Sequence, residues 1–193
     1  MHSVAKLVCK MLANRLAPFL HDMIPHSQSA YIKSRSIHDN YLYVRNAIKE
    51  LHLKNRPALF LKLDIAGAFD SVSWEYMLEV MERLGFGPRW RDLICLIWAS
   101  STSKILVNGK LGQQISHRRG LRQGDPLSPI LFTIAIAPLH WMMQRAELVG
   151  ALSPMELPGA RFRTSLYADD VGLFLNPTAG DINQVAQLLT LFG

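Results

Sequence analysis

The chain has 193 residues, of which 49% are hydrophobic and 19% are charged, so it can bury the core of a folded domain and is not a disordered protein. Its longest mainly apolar run is shorter than the ~20 residues of a membrane-spanning helix, and its two cysteines, Cys9 and Cys95, cannot form a CxxC metal site or a disulfide scaffold. The net charge of +6 is concentrated in residues 1–62, with 10 basic and 3 acidic side chains, and indicates either an anionic partner such as nucleic acid or a basic surface that only water contacts.

The first 65 residues are predicted to form two helices and a strand. Apolar residues at helical spacing predict a helix over residues 4–20, and a second helix is predicted over residues 39–54 after a polar, basic loop at 26–38. The apolar run of residues 58–65 predicts a buried strand with Asp64 near its end. The face of the first helix that is expected in the core consists of Val4, Leu7, Val8, Met11, Leu12 and Leu16.

The middle of the chain is predicted to combine helices with a hairpin. Two amphipathic helices are expected, one over residues 74–84 and one that begins at Pro88. A β-hairpin is predicted around Asn108-Gly109, because this dipeptide suits a tight turn between strands. Ser128 then opens a strongly apolar helix, which Pro138 is expected to kink or end.

The last third is predicted to add two strands and a helix. The strands cover residues 163–168 and 171–175, and the helix covers residues 181–192, with Asp181 and Gln184 as a capping box. The order of all these elements predicts an α+β fold, in which helices pack on one face of an antiparallel sheet.

Three carboxylates stand at the predicted strand ends, namely Asp64, Asp169 and Asp170. Neighbouring carboxylates repel each other, and a carboxylate near a core is costly without a partner, but a divalent cation relieves both problems. Oxygen ligands without Cys or His suit Mg²⁺ or Mn²⁺, and two such ions ~4 Å apart can support transfer of a phosphoryl group. The alternative is structural, since Asp-Asp is common in hairpin turns.

The loop from Arg118 to Pro126 contains three arginines and two glycines and precedes a helix. Glycines let a backbone approach a ligand closely, and arginines and a helix N-terminus favour phosphate. The loop is therefore a candidate phosphate-binding segment. A solvated basic turn is the alternative.

Four ordered motifs span most of the chain: QSAYIKSRSIHDN at 28–40, FLKLDIAGAFD at 60–70, RGLRQGDPLSP at 119–129 and YADD at 167–170. Together they resemble reverse transcriptases, most closely the non-LTR, LINE-type retrotransposon branch. The resemblance implies a right-hand polymerase that copies RNA into DNA. It also implies partial fingers at 1–56 and a palm at 57–193, with a fingers hairpin-like insertion at about 100–118 and an end before the thumb.

The resemblance also implies the residues of the site. Asp64 and Asp169 are expected to be the principal ligands of two Mg²⁺ (or Mn²⁺) ions, and Asp170 to complete the catalytic cluster. Phe69 matches the aromatic steric gate that selects deoxynucleotides, although plain core packing is the alternative for this ring. The other implied contacts are to the nucleotide for Gln123, Gly124, Arg35 and Lys33, and to nucleic acid for Arg119, Arg122 and Arg15.

The implied partners are an RNA template, a DNA primer and dNTPs, and no membrane is expected among them. The resemblance also implies a location inside the cell, in the nucleus or the cytoplasm. Two other functions stay open. A non-catalytic remnant would bind RNA and incorporate no nucleotide. An RNA-dependent RNA polymerase shares the acidic palm, but the aromatic gate at Phe69 argues against it.

Overall fold

The structure, a computed structural model, describes residues 3–155 and 162–193. The helices of these residues are α1 (Ser3–Leu16), α2 (Leu20–Met23), α3 (Ile37–Leu53), α4 (Ala68–Ser71), α5 (Trp74–Arg83), α6 (Pro88–Ala99), α7 (Ser128–Leu148) and α8 (Ala179–Phe192), and a 3₁₀ turn follows α1. The strands are β1 (Leu59–Asp64), β2 (Thr102–Val107), β3 (Lys110–Ser116), β4 (Thr164–Tyr167) and β5 (Asp170–Leu175). The predicted α+β composition is confirmed. Among the described residues, no helix combines the length and apolar character that a membrane span requires.

The chain divides into two compact units. The hairpin unit, which contains β2 and β3, consists of Met1–Arg15 and Gly67–Ala135. The sheet unit, which contains β1, β4 and β5, consists of Leu16–Ala66 and Ile136–Gly193. This division does not coincide with the predicted border between fingers and palm after residue 56, which stays a prediction.

A three-stranded antiparallel sheet lies at the centre of the sheet unit, in the order β1–β5–β4. The register pairs Leu59 with Leu175 and Asp64 with Asp170. The central strand β5 is buried from Val171 onward, whereas β1 is exposed or half-buried along its length. The prediction of a buried β1 is therefore wrong, because an apolar run indicates a strand without indicating how many neighbours cover it.

The outer edge of β4 is bonded to a segment that the sequence predicts as loop. The Leu166 N–H donates to the Ser27 carbonyl at 2.8 Å, and the Ser29 N–H donates to the Leu166 carbonyl at 3.0 Å. Gln28 and Leu166 thus form a short parallel bridge. These bonds satisfy the edge groups of β4 that would otherwise be left without partners.

A buried histidine fixes the same edge. His140 Nδ1 lies 3.0 Å from Ser27 Oγ and 2.5 Å from Thr164 Oγ1. Burial lowers the pKa of His140 to about 4, so its ring is neutral at pH 7. The buried hydroxyls of Ser27 and Thr164 therefore share a neutral partner, as buried polar groups require.

The hairpin unit is built around stacked tryptophans. Trp74 of α5 and Trp98 of α6 have ring centroids 5.4 Å apart, and the Trp74 indole N–H donates to the Gly120 carbonyl at 2.8 Å. The β2–β3 hairpin is exposed along both strands. The loop that follows the hairpin is thus anchored to α5, whereas the hairpin itself projects into solvent.

The buried face of α1 differs from the predicted one. Leu12 and Leu16 are buried as expected, but Val4, Leu7 and Met11 are each more than half exposed. Cys9 and Ala13 are the other buried positions among residues 4–16 of this helix. The buried face of the helix is thus rotated toward small residues. A prediction from the spacing of large apolar side chains gives such small residues little weight.

Two helix boundaries can be compared with prediction. Helix α7 continues past Pro138 to Leu148, with apolar residues buried on both sides of the proline, so Pro138 does not end the helix, and a kink there stays a prediction. Helix α8 is capped by Thr178, whose side chain accepts from the Asp181 N–H, so the cap lies three residues earlier than predicted. Asp181 itself is buried, where its carboxylate accepts from the Ser153 N–H at 3.1 Å.

Candidate active site

The three predicted carboxylates lie at one end of the sheet. Asp64 is the last residue of β1 and stands opposite Asp170, the first residue of β5. Directly opposed residues of an antiparallel pair place their side chains on the same face. Asp169 lies in the two-residue turn that joins β4 to β5, next to Asp170. Residues more than 100 positions apart in the sequence are thereby neighbours in the fold.

A lysine that sequence reasoning missed lies beside these carboxylates. Lys62 Nζ is 3.0 Å from Asp170 Oδ1. The hydrogen bond and the charge of Asp170 raise the pKa of Lys62, and Asp64 adds to this shift. The period of two in a strand places Lys62 on the same face as Asp64, and this signal was available in the sequence. Because both partners are largely exposed, the pair contributes little to stability and acts mainly as a local counter-charge.

The chemistry of these ligands fits a hard cation that a substrate helps to bind. In the part of the chain that the structure describes, no three His, Cys, Asp or Glu side chains are placed together to hold a metal ion. Mg²⁺ is commonly bound by one or two carboxylates, with water and substrate phosphates as its other ligands. Asp64 and Asp169 provide such carboxylates, whereas Asp170 is engaged by Lys62. The predicted set of three ligands stays a prediction.

The arginine-rich loop of the hairpin unit borders a cavity of about 690 Å³. Arg118, Arg119 and Gln123 line it, together with His117 and one carboxylate, Asp70. Arg118 and Arg119 are exposed. The cavity therefore combines a positive lining with polar donors, which suits a phosphate-bearing ligand.

Arg122 has a local structural role in the same loop. Its Nε donates to Ser101 Oγ at 2.9 Å, and its terminal nitrogen donates to the Ile97 carbonyl at 3.0 Å and to Ser100 Oγ at 3.3 Å. These groups lie at the C-terminal end of α6, where helix carbonyls lack intrahelical partners and attract a cation. Nucleic-acid binding by Arg122 stays a prediction, and it competes with these bonds.

Glycine is required at position 120 by its surroundings. Its φ is +86°, and a Cβ there would lie 2.8 Å from the carbonyl oxygen of Asp70. Gly124 also has a positive φ, +75°, but a Cβ would have open space around it. Gly120 thus allows two backbone segments to touch, whereas Gly124 only allows the chain to turn. Contact of Gln123 and Gly124 with a nucleotide stays a prediction.

Phe69 stacks on another aromatic ring of the hairpin unit. It lies in α4, and its ring centroid is 4.6 Å from that of Phe132, with an angle of 20° between the planes. Phe132 is buried, whereas Phe69 is only half-buried. The stacking supports a packing role, and the incomplete burial of Phe69 is compatible with a second role.

Arg35 is held by backbone carbonyls of the sheet unit. One terminal nitrogen donates to the carbonyls of Pro25 at 2.5 Å and Gln28 at 2.7 Å. The other donates to the carbonyls of His21 and Ile24, both at 2.9 Å. The guanidinium thus closes the chain between α2 and α3 into a compact loop. Contact of Arg35 with a triphosphate stays a prediction, and it requires some of these bonds to be exchanged.

The two other predicted basic residues are exposed. Lys33 lies in the loop that Arg35 closes. Arg15 lies at the end of α1, with its guanidinium carbon 5.9 Å from the centroid of the Trp90 ring. This distance is typical of a cation–π contact, which orients the side chain and preserves its charge. Both residues remain available to a polyanion.

Comparison with solved structures defines the class of fold. The chain is similar to a telomerase structure from Candida albicans, with a TM-score of 0.63 and 14% identity over 96% of this chain and 32% of the other. A telomerase structure from Candida tropicalis gives a TM-score of 0.57 and 16% identity, over 97% of this chain and 36% of the other. The fold is thus the right-hand polymerase fold that the resemblance implied.

The family is defined by the sequence itself. The model of the reverse transcriptase (RNA-dependent DNA polymerase) family matches residues 1–190, and the chain belongs to this family. It is 34% identical over 169 residues to the transposon TX1 149 kDa protein of Xenopus laevis, and 30% identical over 171 residues to the Pol polyprotein of the type-1 retrotransposable element R2 of Nasonia vitripennis. These matches cover 86% and 89% of this chain, but only 12% and 16% of the relatives. The predicted kinship with non-LTR retrotransposon proteins is confirmed.

Proposed function

We propose that this chain forms the nucleotide-transfer part of an RNA-directed DNA polymerase. In this reaction the 3′-hydroxyl of a DNA primer attacks the α-phosphate of a dNTP, and pyrophosphate leaves. The observation that carries the proposal is the pairing of Asp64 with Asp170 at the sheet end, with Asp169 in the adjoining turn, in a chain of the reverse transcriptase family.

The residues at the sheet end have distinct parts in this proposal. Asp64 and Asp169 would hold two Mg²⁺ ions, and these ions would supply a lowered pKa for the attacking hydroxyl and positive charge to neutralise the phosphates. Lys62 holds Asp170 and limits the repulsion between neighbouring carboxylates. Asp64 is exposed, so substrate can reach it from solvent.

The proposed template is RNA, held mainly through its phosphates. The excess of basic residues in residues 1–62 and the exposed Arg118 and Arg119 at the cavity supply the positive charge. Base pairing with the template selects each nucleotide, so the protein needs to recognise only backbone and duplex shape. Binding that depends on phosphate contacts weakens steeply as salt increases.

The first expected result concerns nucleotide addition. Incubated with an RNA template, an annealed DNA primer, one complementary dNTP and Mg²⁺ or Mn²⁺, the chain is expected to extend the primer by one nucleotide, and EDTA to abolish the product. Denaturing gel electrophoresis of a labelled primer measures this, and a non-complementary dNTP is the control. RNA binding without extension would contradict the proposal and support the non-catalytic remnant. Equal use of ribonucleotides would support an RNA polymerase.

A second expected result separates two arginines of one loop. Arg119→Ala is expected to weaken RNA binding and to lower the slope of log affinity against log salt by about 1, without a change in Tm. Arg122→Ala is expected to lower the free energy of unfolding by about 2 kcal/mol, because the end of α6 loses a charged hydrogen-bond donor. Fluorescence anisotropy at several salt concentrations and thermal unfolding measure the two effects. If the slope of log affinity against log salt is unchanged in Arg119→Ala, Arg119 does not contact the RNA.

A further inference from the structure

Gln28 is a fully buried polar residue beside the turn that carries Asp169. Its side chain has no exposed surface. Its Oε1 accepts from the Ala30 N–H at 2.9 Å and from the Ala168 N–H at 3.2 Å. One amide oxygen thus ties the segment before α3 to the β4–β5 turn, 140 positions away in sequence.

The Ala168 N–H needs this partner. Ala168 lies in the turn, outside the strand ladder that ends with the pair Tyr167 and Asp170. It is 6% exposed, so water cannot readily replace a missing acceptor. Its φ is +54°, a left-handed conformation that a residue with a Cβ keeps only where its surroundings impose it. The bond from Gln28 acts on the residue that directly precedes Asp169.

The backbone of Gln28 and of its two neighbours is itself held by hydrogen bonds. Its backbone carbonyl accepts from Arg35 at 2.7 Å. Its neighbours Ser27 and Ser29 are bonded to Leu166 of β4. The amide oxygen therefore has little freedom to move away from the turn. Arg35 contributes to this by holding the backbone of Gln28.

The nitrogen of the same amide makes no comparable bond. Gln28 Nε2 is buried and has no hydrogen-bond partner among the described residues. A buried donor without a partner is costly, so an apolar residue of similar size would be favoured here if packing alone mattered. The acceptor oxygen is the feature of Gln28 that the fold uses.

We propose that Gln28 is a positioning residue, which holds the backbone at Ala168 and thereby keeps the Asp169 carboxylate in place in the turn beside Asp170, at the end of the sheet that also carries Asp64. The inference rests on the proposed function for the role of Asp169 in binding metal. The contact between Gln28 and the turn is independent of the proposed function and can be measured separately.

The test compares three substitutions at position 28 in the 193-residue chain. Gln28→Met fills the space without an acceptor, Gln28→Asn keeps an amide but is too short to reach Ala168, and Gln28→Glu keeps an acceptor oxygen at the same reach. Gln28→Met and Gln28→Asn are expected to speed hydrogen exchange of the Ala168 N–H at least tenfold, as measured by NMR. In Gln28→Glu the Ala168 N–H is expected to stay protected from exchange. If Gln28→Met does not fold, the contrast between Asn and Glu decides.

The same variants test the effect on Asp169. Gln28→Met and Gln28→Asn are expected to weaken Mn²⁺ binding, measured by electron paramagnetic resonance, about tenfold. They are also expected to lower kcat for single-nucleotide addition with KM for the primer–template unchanged. The matched control is Thr164→Val, which removes another buried polar contact of β4 away from the turn. It should reduce stability without changing Mn²⁺ binding or kcat.

The outcomes separate the two proposals. If Asp169→Asn weakens Mn²⁺ binding and the Met and Asn variants at position 28 do not, the positioning role is overturned and the proposed function stands. Ala168 exchange that is unchanged in both variants, or equally fast in Gln28→Glu, also overturns it. If Asp169→Asn leaves Mn²⁺ binding unchanged while the Ala168 exchange responds as expected, the contact is supported and the proposed function fails.

Discussion

Asp169→Asn is expected to slow single-nucleotide addition about a thousandfold, equivalent to about 4 kcal/mol of transition-state stabilisation. The substitution keeps the size of the side chain and removes its negative charge, so it acts on cation binding more than on folding. Asp169 lies in the turn and is only partly exposed. Because Asn suits the same turn geometry and has nearly the same size, it fits there without a new clash. The measurement is the rate of primer extension at saturating dNTP and Mg²⁺, with Mn²⁺ binding measured in parallel.

Two further aspartates make this result specific. Asp92→Asn changes an exposed carboxylate of α6 and is expected to leave both the extension rate and Mn²⁺ binding unchanged. Asp170→Asn removes the partner of Lys62 and is expected to give an intermediate loss, because the carboxylate next to it remains. Extension by Asp169→Asn at the rate of the unaltered chain would remove the turn from the catalytic site and refute the proposed function.

The sequence was most informative where a local pattern determines a local structure. The apolar runs around Asp64 and Asp170 predicted two strands, and the antiparallel pairing of β1 with β5 places these residues opposite each other. The short interval between the strands around Asp169 predicted a tight hairpin, which the structure contains. Patterns of this kind depend on backbone periodicity and turn preference, which act over a few residues.

Contacts between distant segments could not be predicted in this way. The bond from Gln28 to Ala168 joins residues 140 positions apart, and neither residue type indicates a partner. The arginines are a related case, because charge predicts an anion whereas Arg35 and Arg122 donate to backbone carbonyls and hydroxyls nearby. A guanidinium satisfies whichever acceptors the fold brings within reach, and its sequence neighbours do not reveal them.

The prediction for Phe69 separates a steric gate from core packing. If the ring selects the sugar, Phe69→Ala is expected to reduce the preference for dNTP over the matching ribonucleotide by about 10- to 100-fold, the range that an apolar wall achieves against one added hydroxyl. The substitution also removes the stacking on Phe132, so a loss of about 2 kcal/mol in the free energy of unfolding is expected. Competing single-nucleotide additions and denaturant unfolding measure the two effects.

Phe132→Ala is the matched control, because it removes the same stacking from the buried side. It is expected to cost more stability, about 3 kcal/mol, and to leave the choice between the two sugars unchanged. If Phe69→Ala behaves like Phe132→Ala, with lower stability and the same discrimination, the ring at position 69 serves packing alone. Loss of discrimination in Phe69→Ala, but not in Phe132→Ala, would assign sugar selection to the ring of Phe69.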